Sequence, residues 1–264
     1  MLLTVSSYFK FPDYGVQDYV VLSRGTAFLV KTPGASQNRP IYGISSAHIT
    51  HPFNFPQLYK DPSQQWIFAL DESNIRVQLE YRDNNTGRIL HSVHLDKPFH
   101  LHSTLDLVCF PLSLDDFTRK GLPYNASILE LTDNNNNNND SQHNQIGKLF
   151  GYQLVDEKAD IMRPLETEYQ LNVVESNRHF VSTVNPSPMG VCGGPAINSN
   201  NEVVGMIEGL VKLDPRVLSP GTSTVNEATR EYYNRINLNS VYIPSKILKT
   251  FINTIDIQQV YDTL

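Results

Sequence analysis

A cysteine between glycines, a histidine behind an apolar strand and an aspartate heading another apolar run are the side chains best suited to chemistry in this 264-residue sequence. The cysteine lies in Met189-Gly190-Val191-Cys192-Gly193-Gly194-Pro195-Ala196-Ile197. Glycines on both sides permit a tight turn that presents the sulfur. They also leave backbone N–H groups to converge beside it as an oxyanion hole, with Gly190 and Cys192 as the donors. The histidine lies in Ile44-Ser45-Ser46-Ala47-His48-Ile49-Thr50, and the aspartate in Ser103-Thr104-Leu105-Asp106-Leu107-Val108-Cys109. An imidazole can take the proton of a thiol, and a carboxylate behind it can orient the ring and stabilise its cation. Each segment also has an ordinary reading. A lone histidine there serves a core or a turn, a lone aspartate a turn, and a cysteine among glycines can be a buried thiol.

The elements that must hold these groups are mostly strands. Apolar or alternating runs occur at 19–22, 25–30, 41–44, 75–81, 89–95 and 105–112, and again at 148–154, 169–174, 179–184 and 202–207. The runs at 75–81 and 89–95 flank Asp83-Asn84-Asn85-Thr86-Gly87 and predict an antiparallel hairpin. Between 131 and 146 the pattern stops at six consecutive asparagines, 134–139, which have no apolar side chains to bury. Helices are expected at about 225–236 and after Pro244-Ser245. The second would place Ile247, Leu248, Phe251, Ile252 and Ile255 on one face, with Ser245 able to cap its first turn. Strand spacing alone predicts an all-β barrel or sandwich.

The ordered set His48, Asp106, Cys192 resembles the chymotrypsin-like proteases of the PA clan. Gly25-Thr26-Ala27-Phe28-Leu29-Val30 resembles their strand before the histidine, and Val203-Val204-Gly205-Met206-Ile207 the strand after the nucleophile. Asn185-Pro186 and Val241-Tyr242-Ile243-Pro244-Ser245 with its helix are similar to HtrA/Deg-type protease domains. The resemblance covers about residues 18–255. It implies two packed six-stranded antiparallel β-barrels, a trypsin-like double barrel, with a C-terminal helix. It divides the chain into an N-terminal extension (1–17), a first barrel (18–130) with His48 and Asp106, an Asn-rich linker (131–146) and a second barrel (147–264) with Cys192. The implied activity is that of an endopeptidase with a Cys192-His48-Asp106 triad acting through a thioester. Pro186, Ser187, Ile207, Glu208 and Gly209 would line the substrate groove, and Glu208 would favour a basic side chain.

Several features depart from that family. Cysteine stands where most cellular relatives have serine. Picornavirus-like cysteine proteases share the cysteine but cut after Gln with a histidine where Ile207 stands here, so Gln specificity is not supported. Val191 replaces the acid that zymogen-activated trypsins pair with a new N-terminus. Residues 210–240 form a long insertion that could cover the cleft or a partner site. The alternative function is a protease fold that has lost turnover and binds peptides or protein partners. Retention of both His48 and Asp106 favours catalysis, since a binding module needs neither.

Composition narrows the classes further. A formal charge of −6 argues against nucleic acid as a partner. No apolar run approaches the roughly 20 residues of a spanning helix, so membrane insertion is not expected. The expected partner is a peptide or protein substrate, without a cofactor. The pairs His48/His51, His91/His94 and His100/His102 lack any accompanying zinc motif, so no metal is assigned. Cys109 reads as a buried strand residue, and Trp66 as packing. The start lacks a basic flank and a long apolar stretch. The expected location is therefore intracellular and reducing, cytoplasmic by default, with a weak organellar leader as the alternative.

Overall fold

In the computed structural model the described residues are 2–31, 41–59, 61–112, 128–131, 145–219 and 226–262, the last with side chains to residue 256. The asparagine run 134–139, and with it most of the expected linker, lies outside them. The first half contains β1 (Leu3–Phe11), β2 (Val16–Lys31), β3 (Ile41–Ser45), β4 (Ile75–Arg82), β5 (Ile89–His94), β6 (His100–Leu101), β7 (Val108–Leu112) and β8 (Ile128–Leu129). These strands form a sheet of order β5-β4-β1-β2-β3-β7-β6, with β8 beside β2. The second half contains β9 (Ile146–Asp156), β10 (Ile161–Val174), β11 (His179–Thr183), β12 (Pro195–Asn198), β13 (Val203–Leu210) and β14 (Ser240–Pro244). They close into a six-stranded antiparallel barrel of order β10-β11-β14-β13-β12-β9. Helices are short at α1 (Ala47–Thr50) and α2 (Pro215–Leu218), and longer at α3 (Glu227–Ile236) and α4 (Ser245–Asp262).

The 16-residue β2 knits the first sheet together. Its earlier part pairs with β1, and its end pairs with β3. Alternation along it assigns Ala27 and Leu29 to one core and Phe28 and Val30 to another. The expected hairpin is present as β4 and β5, with Gly87 in the left-handed region. Two expectations change. Residues 1–17 are not a mere extension, because β1 sits inside the sheet between β2 and β4. Among the described residues the first half is one eight-stranded sheet, and β5 and β6 stand at its two ends without pairing with each other. Pro98, which has no N–H to donate, lies between them, and β6 has only two residues, both paired with β7.

Helix α4 spans both halves. Leu248, Ile252 and Ile255 are buried with Tyr42, Ile44 and Leu107 of the first sheet and with Val203, Met206 and Ile243 of the barrel. This is the apolar face the sequence predicts. The barrel interior holds Leu149, Tyr169, Leu171, Val181, Val191 and Ile207. Trp66 packs on Phe9, with ring centroids 4.6 Å apart. No helix of the described residues is long and apolar enough to cross a membrane.

A second link between the halves is ionic. Arg82 and Glu80 of β4 are fully buried and paired at 2.6 Å. Arg82 also reaches Asp160 of the β9–β10 turn, through Nη2 to Oδ1 at 2.8 Å and Nη1 to the carbonyl at 2.7 Å. Its Nε donates to Thr4 Oγ1, and the hydroxyls of Thr4 and Tyr8 donate to Glu80. The amide of Met162 completes the seam by donating to Gly87 O at 3.1 Å. Buried charge is tolerated only when paired in this way, and removing one partner strands the other. Arg82→Met is therefore expected to lower the unfolding free energy by about 3–5 kcal/mol. Glu80→Met in that background should recover part of the loss, as read by urea denaturation at pH 7.

Candidate active site

His48 sits in α1, directly after β3, and Asp106 lies just before β7, the neighbour of β3. The pairing of β3 with β7 therefore brings two residues distant in sequence together. Asp106 Oδ1 accepts the His48 backbone N–H at 2.7 Å, and Oδ2 is bonded to His48 Nδ1. This two-point contact fixes both the main chain and the ring. With Nδ1 occupied, Nε2 is the nitrogen left for Cys192, which lines the same cleft as the imidazole. Burial works against a charge on His48. The hydrogen bonds to Asp106 and Cys192, with the charges of both, outweigh it and push its pKa up to about 10.

The loop bearing Cys192 is held by its carbonyls. Met189 O accepts from Leu154 N at 2.9 Å, and Val191 O from Gly194 N at 3.0 Å. In a planar trans peptide the next N–H points the opposite way, so these two bonds aim the amides of Gly190 and Cys192. Neither amide donates to any acceptor among the described residues. Gly190 has φ +97°, and a Cβ there would stand 2.7 Å from Tyr152 O. Gly193 has φ +86°, and a Cβ there would stand 2.1 Å from Thr26 O. Both glycines are thus required by conformation and by space.

Thr26 of β2, whose role the sequence reading missed, supplies the other anchors. Its hydroxyl donates to Gly190 O and accepts from Tyr152 N, each at 2.8 Å. Its amide donates to Cys192 O at 2.8 Å. The hint in the sequence was a hydroxyl residue just before the apolar run Ala27-Phe28-Leu29-Val30.

Comparison of the sequence with models of protein families and with curated proteins finds no match. The structure brings together His48, Asp106, Cys192 and the amides of Gly190 and Cys192. A cleft of about 750 Å³ opens beside them, and Glu208, Gly209 and Leu210 lie along it with Arg178, Phe180 and Val241. Other expected groove residues fall elsewhere. The Ile207 side chain is buried in the barrel core, because its backbone braces Gly193 and Gly194. Ser187 bonds Ser240 at 2.5 Å, and Pro186 is exposed outside the cleft lining. Val191 is buried among apolar side chains, where an acid would be costly. The carboxylate of Glu208 is not open to a basic side chain, since Arg178 occupies both of its oxygens.

Leu210 and Val211 form one wall of the cleft, and α3 packs on Phe180 and Val241 through Ile236. Cys109 is fully buried, and burial pushes its thiol pKa up. Both cysteines are free. Among the described residues no group of three His, Cys, Asp or Glu side chains converges to hold a metal ion.

Two predictions follow from this geometry. Asp106→Asn removes a hydrogen bond and a charge that hold the imidazolium, so the His48 pKa should fall well below 10 in an NMR titration. Because the folded-state pKa is raised, the pair's contribution to stability is complete below about pH 6.5. It is lost as pH rises through 10, and denaturation of the Asp106→Asn variant should show less of that loss. Thr26→Val leaves Gly190 O and Tyr152 N–H unpaired, at a cost of about 1–3 kcal/mol for each. Thr26→Ser, which keeps the hydroxyl, should restore most of the unfolding free energy.

Proposed function

We propose that this chain is a cysteine endopeptidase with Cys192 as nucleophile, His48 as acid and base, and Asp106 as orienting carboxylate. The observation that carries the reading is the coincidence, around one sulfur, of an Asp-held imidazole and two unpaired, aimed N–H groups. In this reading the first sheet is the curled counterpart of a first barrel, and the whole has the trypsin-like double-barrel plan. An eight-stranded sheet packed against a closed barrel, with the site between them, supports that plan.

The chemistry follows from the placement. The thiol proton resides on His48, which Asp106 holds as an imidazolium, and the thiolate attacks the peptide carbonyl carbon. The carbonyl electron pair moves to oxygen, which the amides of Gly190 and Cys192 stabilise, at about 3–4 kcal/mol per donor. As the C–N bond breaks, His48 gives its proton to the departing amine, leaving a thioester. Water, losing a proton to His48, then attacks the thioester carbon; the C–S bond breaks, the carboxylic acid leaves, and the sulfur departs as the thiolate paired with the His48 imidazolium. An extended substrate has a place to bind. Strand β13 pairs with β12 only as far as Met206, so 208–210 lacks a strand partner on the side away from β14 among the described residues. A module that only binds would gain nothing from an imidazole held as a cation by Asp106.

The test is alkylation of the native protein with a cysteine-directed peptide electrophile, mapped by mass spectrometry. Cys192 should react rapidly, with Cys109 silent. His48→Ala should slow the reaction roughly a hundredfold, and Cys192→Ala should abolish peptide hydrolysis. Equal labelling rates with and without His48, no faster than an ordinary thiol, would overturn the reading in favour of a binding module.

A further inference from the structure

We infer that Arg178 makes the cleft beside Cys192 select peptides carrying an acidic side chain near the scissile bond. This rests on the cleft being the peptide site. The sequence points the other way, because Glu208 alone would attract a base. In the fold, Arg178 Nε meets Glu208 Oε2 at 2.5 Å and Nη2 meets Oε1 at 2.6 Å. That bidentate contact uses one edge of the guanidinium, whose five donors lie in a fixed plane. Among the described residues no acceptor meets Nη1. The two partners are unequally accessible, since the Arg178 side chain is 37% exposed and that of Glu208 is 12% exposed. An incoming side chain therefore reaches the cation first.

The other charges in the cleft are already committed. Asp106 holds His48, and His48 faces Cys192. Burial lowers the pKa of His102, which keeps that ring neutral at pH 7. The remaining walls carry no further charge and mix apolar side chains such as Phe55, Leu58, Phe180 and Val241 with the neutral Asn54, Gln57, Ser103 and Thr104. A carboxylate meeting the free guanidinium edge there gains a charge-assisted hydrogen bond. A lysine or arginine would meet the outer face of Arg178 and be repelled. Glu208 then acts as the positioning residue that holds one edge of the guanidinium and leaves the far edge open.

The test uses the full chain with Cys192→Ala, which binds without turnover, and pairs of labelled peptides differing only as Glu or Lys at each position. Fluorescence anisotropy should show the Glu peptide binding about tenfold tighter at one position. Arg178→Met in the same background should bring that ratio to about one, and Glu208→Gln should keep it above one. Because the readout is a ratio within each variant, a general loss of folded protein cancels. Preference for Lys, no discrimination by charge, or a ratio that survives Arg178→Met would overturn the inference. If the ratio behaves as expected while the unmodified protein cleaves none of these peptides, the acidic ligand stands and the peptidase reading falls.

Discussion

Four successive carbonyls, from Met189 to Cys192, each accept a hydrogen bond, and two of the donors belong to Thr26. The rest of the site depends on this saturation. Once the carbonyls are pinned, peptide planarity decides where the amides of Gly190 and Cys192 point. Thr26 lies on β2, in the sheet that also positions His48 and Asp106, while the loop it holds belongs to the barrel. One threonine thus sets the register between the sulfur and the imidazole. Glycine at 193 permits the approach, because any side chain there would run into the Thr26 carbonyl.

Two further contacts keep the halves from sliding. The apolar one is α4, whose Leu248, Ile252 and Ile255 fill a core shared by the first sheet and the barrel. That core also contains Leu105 and Leu107, the neighbours of Asp106, so the helix steadies the carboxylate's segment. The polar one is the Arg82 network, in which a buried guanidinium finds acceptors on both sides of the seam. Burial of apolar area has no direction, whereas ionic hydrogen bonds fix distance and angle. Together they supply adhesion and alignment.

The charge of the cleft shows how pairing overrides residue type. Glu208 is acidic and lies along the cleft, yet its carboxylate is spent on Arg178. His48 is basic, yet it is spent on Asp106 and Cys192. What an approaching molecule meets is the unpaired edge of a guanidinium beside walls that carry no other unpaired charge. A reading by residue type assigns the opposite sign to this surface.

The candidate site and much of the fold were legible in the sequence because their signals are local. Cys192 among glycines, His48 after an apolar strand and Asp106 before one are short motifs, and the β4–β5 hairpin and the α4 face are short-range periodicities. Strand β1 escaped because its alternation, Leu3-Thr4-Val5-Ser6 and Phe9-Lys10-Phe11, is broken at Ser7-Tyr8, where its pairing with β2 shifts register. Strands β12 and β14 are short, and one begins while the other ends with proline. The partners of Thr26, Arg82 and Glu208 had no local signal at all. Thr26 meets Gly190 164 residues away, and Arg82 meets Asp160 78 residues away. The sequence by itself determined which groups could do chemistry. Only the tertiary structure decided which of their atoms are already bonded, since a hydrogen bond between distant residues is chosen by the packing of the elements that carry them.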